Sequence, residues 1–316
     1  MAISTKLTAL SVAALALAAL FIFQGSGGNW DYIIPRRAVK VAAIVLTGSA
    51  IAFATLVFQT ITNNRILTPS IIGMDAMYML VQTTLVFLFG TFGVIALNEN
   101  LNFMLSVGCM MLFALWLYRT LFGRGDRHLY TLLLAGIVMG TLFASMTTFM
   151  QVLIDPNEFM RVQDRMFASF NNVNTDVLLI SVLLLGGAAV FSLTFTPYLD
   201  VISLGRDQAV NLGIDYNAVV KRSLIAIAVL ISVSTALVGP ITFLGLIVAN
   251  VAVQLLKTYR HRILIPGAML ISIIALLGGQ WIVERVFTFS TTLSVIINFV
   301  GGVYFLYLLL KENRSW

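Results

Sequence analysis

Apolar residues along this chain gather in long runs rather than in alternation, and charged or turn-forming residues punctuate them. A helix needs roughly 20 apolar residues to cross about 30 Å of hydrocarbon. On that scale the chain holds ten runs, at about residues 7–23, 38–60, 70–91, 100–118, 129–153, 176–195, 222–238, 243–256, 263–283 and 291–310. The eighth is short for a full crossing, and the third carries Asp75 near its start. Only helices and closed barrels satisfy a backbone in lipid, and the dyad alternation of barrel strands is absent. The pattern predicts an all-α integral membrane protein of about ten transmembrane helices, with residues 1–316 as a single transmembrane domain and no soluble domain. Lys6 before the first run and Gly25, Ser26, Gly27 and Gly28 after it resemble a signal peptide, but the length of the run and the lack of an A-x-A site favour an uncleaved helix.

Composition narrows the class. Apolar residues make up 59% of the 316 and charged residues 10%, against about 45–50% and about 25% in soluble domains. A soluble enzyme, a DNA-binding module and a secreted disulfide scaffold are excluded. The net charge of +6 reads as cationic cytoplasmic loops and not as nucleic-acid binding. With Lys6 inside, 13 of the 19 basic residues fall on cytoplasmic segments, and Arg36, Arg37, Lys40, Arg161, Arg165 and Arg285 fall outside. The positive-inside bias then places both termini in the cytoplasm. Cys109, the single cysteine, lies in an apolar run and reads as a small buried hydrophobe.

Several chemistries are missing. No G-x-x-x-x-G-K-[ST] occurs, so an ATPase driving transport would be another polypeptide. Gly123 and Gly125 read as a turn in a basic loop, and His128 and His261 as solvated loop histidines beside arginines. No zinc-protease, cysteine-cluster or nucleophile-elbow motif appears, and neither a resident metal nor a cofactor is expected. Ion-coupled carriers need buried carboxylates. Asp75 is the sole candidate, and its place near a helix end suggests a hydrated, interfacial group.

Two segments are too organised to be plain connections. Residues 203–222, SLGRDQAVNLGIDYNAVVKR, separate runs six and seven. Ala209, Val210, Leu212 and Ile214, mixed with Arg206, Asp207, Gln208 and Asn211, suit a short amphipathic helix ended by Gly213. Lying on lipid is one role for such a helix; a cytoplasmic knob is another. Residues 238–248, VGPITFLGLIV, place Gly239 and Pro240 between apolar runs, where they break a helix. Irregular backbone at that depth is tolerated only where protein or a watery cavity satisfies it.

Those two segments, followed by Ile265-Pro266-Gly267, resemble the permease subunits of ATP-binding-cassette importers for iron-siderophores, haem and cobalamin, the iron-chelate (FecCD-type) permease family. The family's G-P-I-x-F-x-G-L-[IV]-[IV] stands here as Gly239, Pro240, Ile241, Phe243, Gly245, Leu246, Ile247 and Val248, and its A-x-x-L-G as Ala209, Leu212 and Gly213. Its L-P-R, Gln and N-P-L-A-x-P-x-x-L-G elements are matched by Ile34-Pro35-Arg36, Gln59, and Asn64, Pro69 and Gly73. Ala249, Asn250 and Val253 replace the usual Pro, His and Arg, and Arg65 replaces the proline of N-P-L-A.

The resemblance implies a permease of the bacterial cytoplasmic membrane, in a branch for ferric catecholate-type chelates. Its partners would be cytoplasmic ATPases, a second permease and an extracytoplasmic solute-binding protein. Arg206, Asp207, Ala209, Leu212 and Gly213 would form the coupling helix in an ATPase groove, with Ala209 the small contact residue. Arg36 and Arg285 would meet the binding protein, with Arg37 an adjacent candidate. Gly239, Pro240, Phe243 and Gly245 would form the broken-helix gate; Gln59, Asn64, Gly73 and Asp75 are pathway candidates. The small residues Ala42, Ala43, Gly48, Ala50 and Ala54, and Gly136 with Gly140, suit either a pathway lining or helix packing. Met74, Met77 and Met79 read as adaptable packing, since thioethers prefer soft metals. The competing functions are an ion-gradient-driven transporter, disfavoured by the lack of buried carboxylates, and a membrane scaffold, which needs no broken helix.

Overall fold

The computed structural model describes residues 3–24, 30–90, 98–122, 129–171, 173–289 and 291–312. Residues 25–28, the turn at 123–125, Arg127, His128 and Arg314 lie outside them. The described residues form helices and no strand: α1 (Ile3–Phe23), α2 (Trp30–Thr62), α3 (Met74–Phe89), α4 (Glu99–Phe122), α5 (Leu129–Leu153), α6 (Pro156–Met166), α7 (Thr175–Ser192), α8 (Leu199–Ile202), α9 (Arg206–Asn211), α10 (Tyr216–Val238), α11 (Leu244–Leu256), α12 (His261–Arg285) and α13 (Leu293–Glu312). Among the described residues seven helices, α1, α2, α4, α5, α7, α10 and α12, are long and apolar enough to cross a membrane. The predicted third, eighth and tenth runs correspond to the shorter apolar helices Met74–Phe89, Leu244–Leu256 and Leu293–Tyr307.

Helix α2 is the axis of the bundle. Every residue from Ala50 to Gln59 is buried, and α10, α12 and α11 pack around it. Small residues permit that approach: a Cβ at Gly48 would stand 2.9 Å from Leu276 Cδ1 and 3.0 Å from Ser272 Oγ of α12. Ala43, Gly48, Ala50 and Ala54 are all buried within the subunit, so this face is a packing surface, the close-approach use of small residues in membrane helices. Helices α5 and α7 sit at the periphery and turn Leu134, Val138, Phe149, Leu179, Leu183 and Val190 outward. An apolar rim of this size is stable against hydrocarbon and not against water.

Hydrogen bonds define the two ends. Lys6 Nζ donates to the carbonyl of Leu255 at 2.7 Å, so the start of α1 and the end of α11 share one end, called the near end below. Arg37 Nη1 donates to the carbonyls of Phe21, Ile22 and Gln24, so the end of α1 and the first turns of α2 share the far end.

Candidate functional site

The knob foreseen between the sixth and seventh runs is a short helix at the near end. After α9 the chain reverses through Gly213 at φ +82°. The amides of Gly213 and Ile214 donate to the carbonyls of Val210 and Ala209, which makes the Schellman stop that glycine permits. Arg206 and Asp207 are exposed, as are Val210 (52%) and Leu212 (64%). Ala209 is not: it is fully buried in the subunit's own core. The expectation of Ala209 as a surface contact is therefore corrected. On a helix seated on the bundle, the small residue fits the inner face and the larger apolar ones are left outside.

The histidine expectation is corrected too. His261 begins α12 and is buried, not solvated. Its Nδ1 lies 2.6 Å from Asp200 Oδ1, which also accepts from the His261 amide at 2.8 Å. Its Nε2 lies 2.8 Å from Thr60 Oγ1 of α2. One imidazole thus joins α2, α12 and α8, the element directly before the knob. The partners are far apart in sequence, and no local motif announces them.

Beside this joint the chain after α2 turns back into the bundle without helix. Gln59 Nε2 and Asn250 Nδ2 both donate to the carbonyl of Arg65, at 2.7 and 3.0 Å. Asn250 also bonds the Leu246 carbonyl, and Asn64 Oδ1 accepts from the Ile66 amide. The two departures at positions 65 and 250 therefore meet in space. A cavity of about 500 Å³ opens here, lined in part by Thr60, Asn64, Arg65, Lys257 and His261.

Deeper, the returning chain ends in a 3-10 turn, Pro69–Ile72, and Gly73 at φ +88°. A Cβ on Gly73 would stand 2.9 Å from Gly140 Cα, and one on Gly136 2.7 Å from Ile72 Cα. The G-x-x-x-G of α5 therefore receives this backbone rather than a partner helix. Opposite it, α10 ends at Gly239, φ +97°, and α11 restarts at Leu244. Gly245 lies against the Thr55 hydroxyl, and Phe243 packs on Phe305 of α13. Asp75 joins the two irregular stretches, accepting from Thr242 Oγ1 at 3.4 Å. At 1.5 Å per residue the 13 residues of α11 put this contact about 20 Å from the near end. Asp75 is thus at a helix end but not at an interface, because the helix begins inside the bundle.

At the far end the three arginines separate. Arg37 spends its guanidinium on three carbonyls at the close of α1, the shortest contact being 2.6 Å to Gln24. Arg285 is exposed and gives one bond to the same Gln24 carbonyl. Arg36 is exposed and stacks on Tyr32 at 4.3 Å. Lys40 pairs with Glu284 at 3.0 Å and bonds Asn171. These side chains rim a cavity of about 880 Å³.

The FecCD transport family model matches residues 1–311. A petrobactin import system permease protein of Bacillus subtilis (strain 168) is 61% identical over 98% of each chain. A petrobactin import system permease protein of Bacillus anthracis is 35% identical over 89% of this chain and 79% of its own. A solved inward-facing structure of an ABC transporter superposes with a TM-score of 0.86 at 18% identity, covering 98% of this chain and all of that one. That likeness bears on the fold alone.

Proposed function

The chain belongs to the FecCD transport family, and we propose that it is the membrane permease of a binding-protein-dependent ABC importer that brings a ferric siderophore, of the petrobactin kind, into the cell. The full-length 61% identity to a petrobactin import permease carries this reading. The family transports and is not enzymatic. ATP hydrolysis therefore belongs to separate subunits.

The remaining features fit one assembly. Residues 1–316 form one permease domain in the bacterial cytoplasmic membrane, with seven long apolar helices and three shorter ones making ten crossings and both termini cytoplasmic. The near end is then the cytoplasmic one. There Arg206, Asp207, Val210 and Leu212 present the knob to an ATPase, and the His261 joint links the knob to α2. A second permease completes the pathway along the Gly239–Phe243 break. On the outer side Arg36 and Arg285 meet acidic groups of a solute-binding protein, an electrostatic contact that speeds capture and is screened by salt.

Uptake tests the reading. Cells lacking this permease should take up radiolabelled iron presented with petrobactin only when the gene is restored. Restored uptake of ferric hydroxamate or haem, with none of ferric petrobactin, would remove the substrate assignment. Uptake by the permease alone in liposomes without ATP would remove the importer assignment.

A further inference from the structure

Helices α7 and α12 both pack against α2 and leave between them a groove of about 590 Å³. Phe53, Leu185 and Leu230, all buried, make its floor, while Val45, Val182 and Leu193 stand exposed along its rim. Leu183 and Val190 of α7 carry the same apolar surface outward, so the groove opens sideways onto a face suited to hydrocarbon. Small residues usually bring membrane helices together. Gly186 of α7 does not: among the described residues nothing stands within 4 Å of the place its Cβ would take. With Ala189 it keeps the groove open. Apolar walls give water no partners, and Ser192, Thr196 and both ring nitrogens of His261 already have hydrogen-bond partners. An occupant must therefore be apolar along most of its length.

Depth and charge narrow it further. Along α7 the lining runs from Val182 to Ser192 at the near end, about 15 Å at 1.5 Å per residue. That is half of the roughly 30 Å hydrocarbon core, the reach of an acyl chain from one leaflet. Thr196 and Arg262, the second residue of α12, stand at the near-end mouth. Arg262 is exposed, and among the described residues its side chain has no ion pair or hydrogen bond. Among the described residues no acidic side chain lines the groove, and Asp200, close by, is already bonded to His261. A zwitterionic headgroup brings a cation that finds no partner at this mouth. An anionic phosphodiester meets only Arg262, and basic pockets between membrane helices are settings in which acidic lipids are held.

We propose that the groove between α7 and α12 binds one anionic phospholipid of the near-end leaflet, with its acyl chain along Gly186 and Ala189 and its phosphate on Arg262. The lipid braces α7 against α12 next to the joint made by His261. This rests on the chain spanning a bilayer and is independent of what it transports.

Native mass spectrometry of the purified permease, titrated in detergent with phosphatidylglycerol or phosphatidylcholine, tests the site. One phosphatidylglycerol should be retained in preference to phosphatidylcholine. Arg262→Gln should reduce that preference about fivefold, the worth of one basic side chain at a lipid surface, and leave the unfolding midpoint in detergent alone unchanged. Gly186→Leu, a helix-favouring change into open space, should lower retention of both lipids by filling the groove. Equal retention of the two lipids by the unmodified protein would overturn the proposal, as would an undiminished preference in Arg262→Gln. Undiminished retention in Gly186→Leu would mark the lipid as annular only and overturn it too. If Gly186→Leu instead splits a dimer of the chain, the groove seats a helix and the proposal falls. Iron uptake reads the transport assignment separately, so either result there leaves this test standing.

Discussion

The two ends of this bundle hold their charges in opposite ways. At the far end, side chains of one type do different work. Arg37 is turned inward to close α1 on three carbonyls, while Arg36 remains exposed over Tyr32 and Arg285 does some of each. At the near end, side chains of different types do one job. His261, Asp200 and Thr60 form a single joint, and Gln59 and Asn250 clamp one carbonyl. Residue type alone therefore predicts role poorly in either place. What separates an anchor from a contact surface is whether its polar atoms are already used inside the subunit.

That contrast breaks first at the joint. His261→Ala removes the imidazole from Asp200, which keeps its bond from the residue 261 amide, and from Thr60, and opens a buried space; it should lower stability by about 2 kcal/mol through lost packing and two lost hydrogen bonds. Thermal unfolding measures it, and transport should fall further than the residual fold explains if the joint carries motion from the knob. An unchanged midpoint would mean that α2, α8 and α12 are held together without it. Next in size, Arg37→Ala should cost about 1.5 kcal/mol by leaving the Phe21 and Ile22 carbonyls without a charged donor, Arg285 still holding that of Gln24. Its readout is faster proteolysis at the α1–α2 connection.

Arg36→Glu combined with Arg285→Glu should shift stability by less than about 0.5 kcal/mol, as surface changes do, yet weaken binding-protein capture at low ionic strength. If Arg37→Ala impairs capture more than the double variant at matched stability, the division of the arginines is wrong. The mildest change is Leu212→Ala on the knob, which should reduce ATPase recovery on co-purification without moving the unfolding midpoint. Ala209→Arg is a different experiment: it forces a charge into a fully buried site, so any ATPase it loses reports collapse of α9.

Much of the fold was legible in the chain. Hydrocarbon tolerates few backbone solutions, so runs of apolar residues fall in helices, and Gly213 and Gly239 end helices where they were expected to. The knob was legible for the same reason, because an amphipathic turn between two long apolar runs has no place inside lipid. Its orientation was not. Whether Ala209 or Leu212 faces out depends on how α9 lies on the bundle, and a six-residue helix has too few positions to reveal its buried face.

The small cavity beside Asp75 marks the boundary most clearly. Its oxygens come from α2, the 3-10 turn, α3, α10 and the break before α11. Each alone is an ordinary polar residue beside an apolar run. Sequence by itself determined that the chain is a helical membrane protein of a transport family, since composition and short motifs are local properties that survive without coordinates. Only the tertiary structure decided that His261 is buried, that Arg37 is an anchor and that Asp75 meets Thr242 between the two irregular stretches. Those are properties of distance and burial, and helices far apart in the chain set them by packing together.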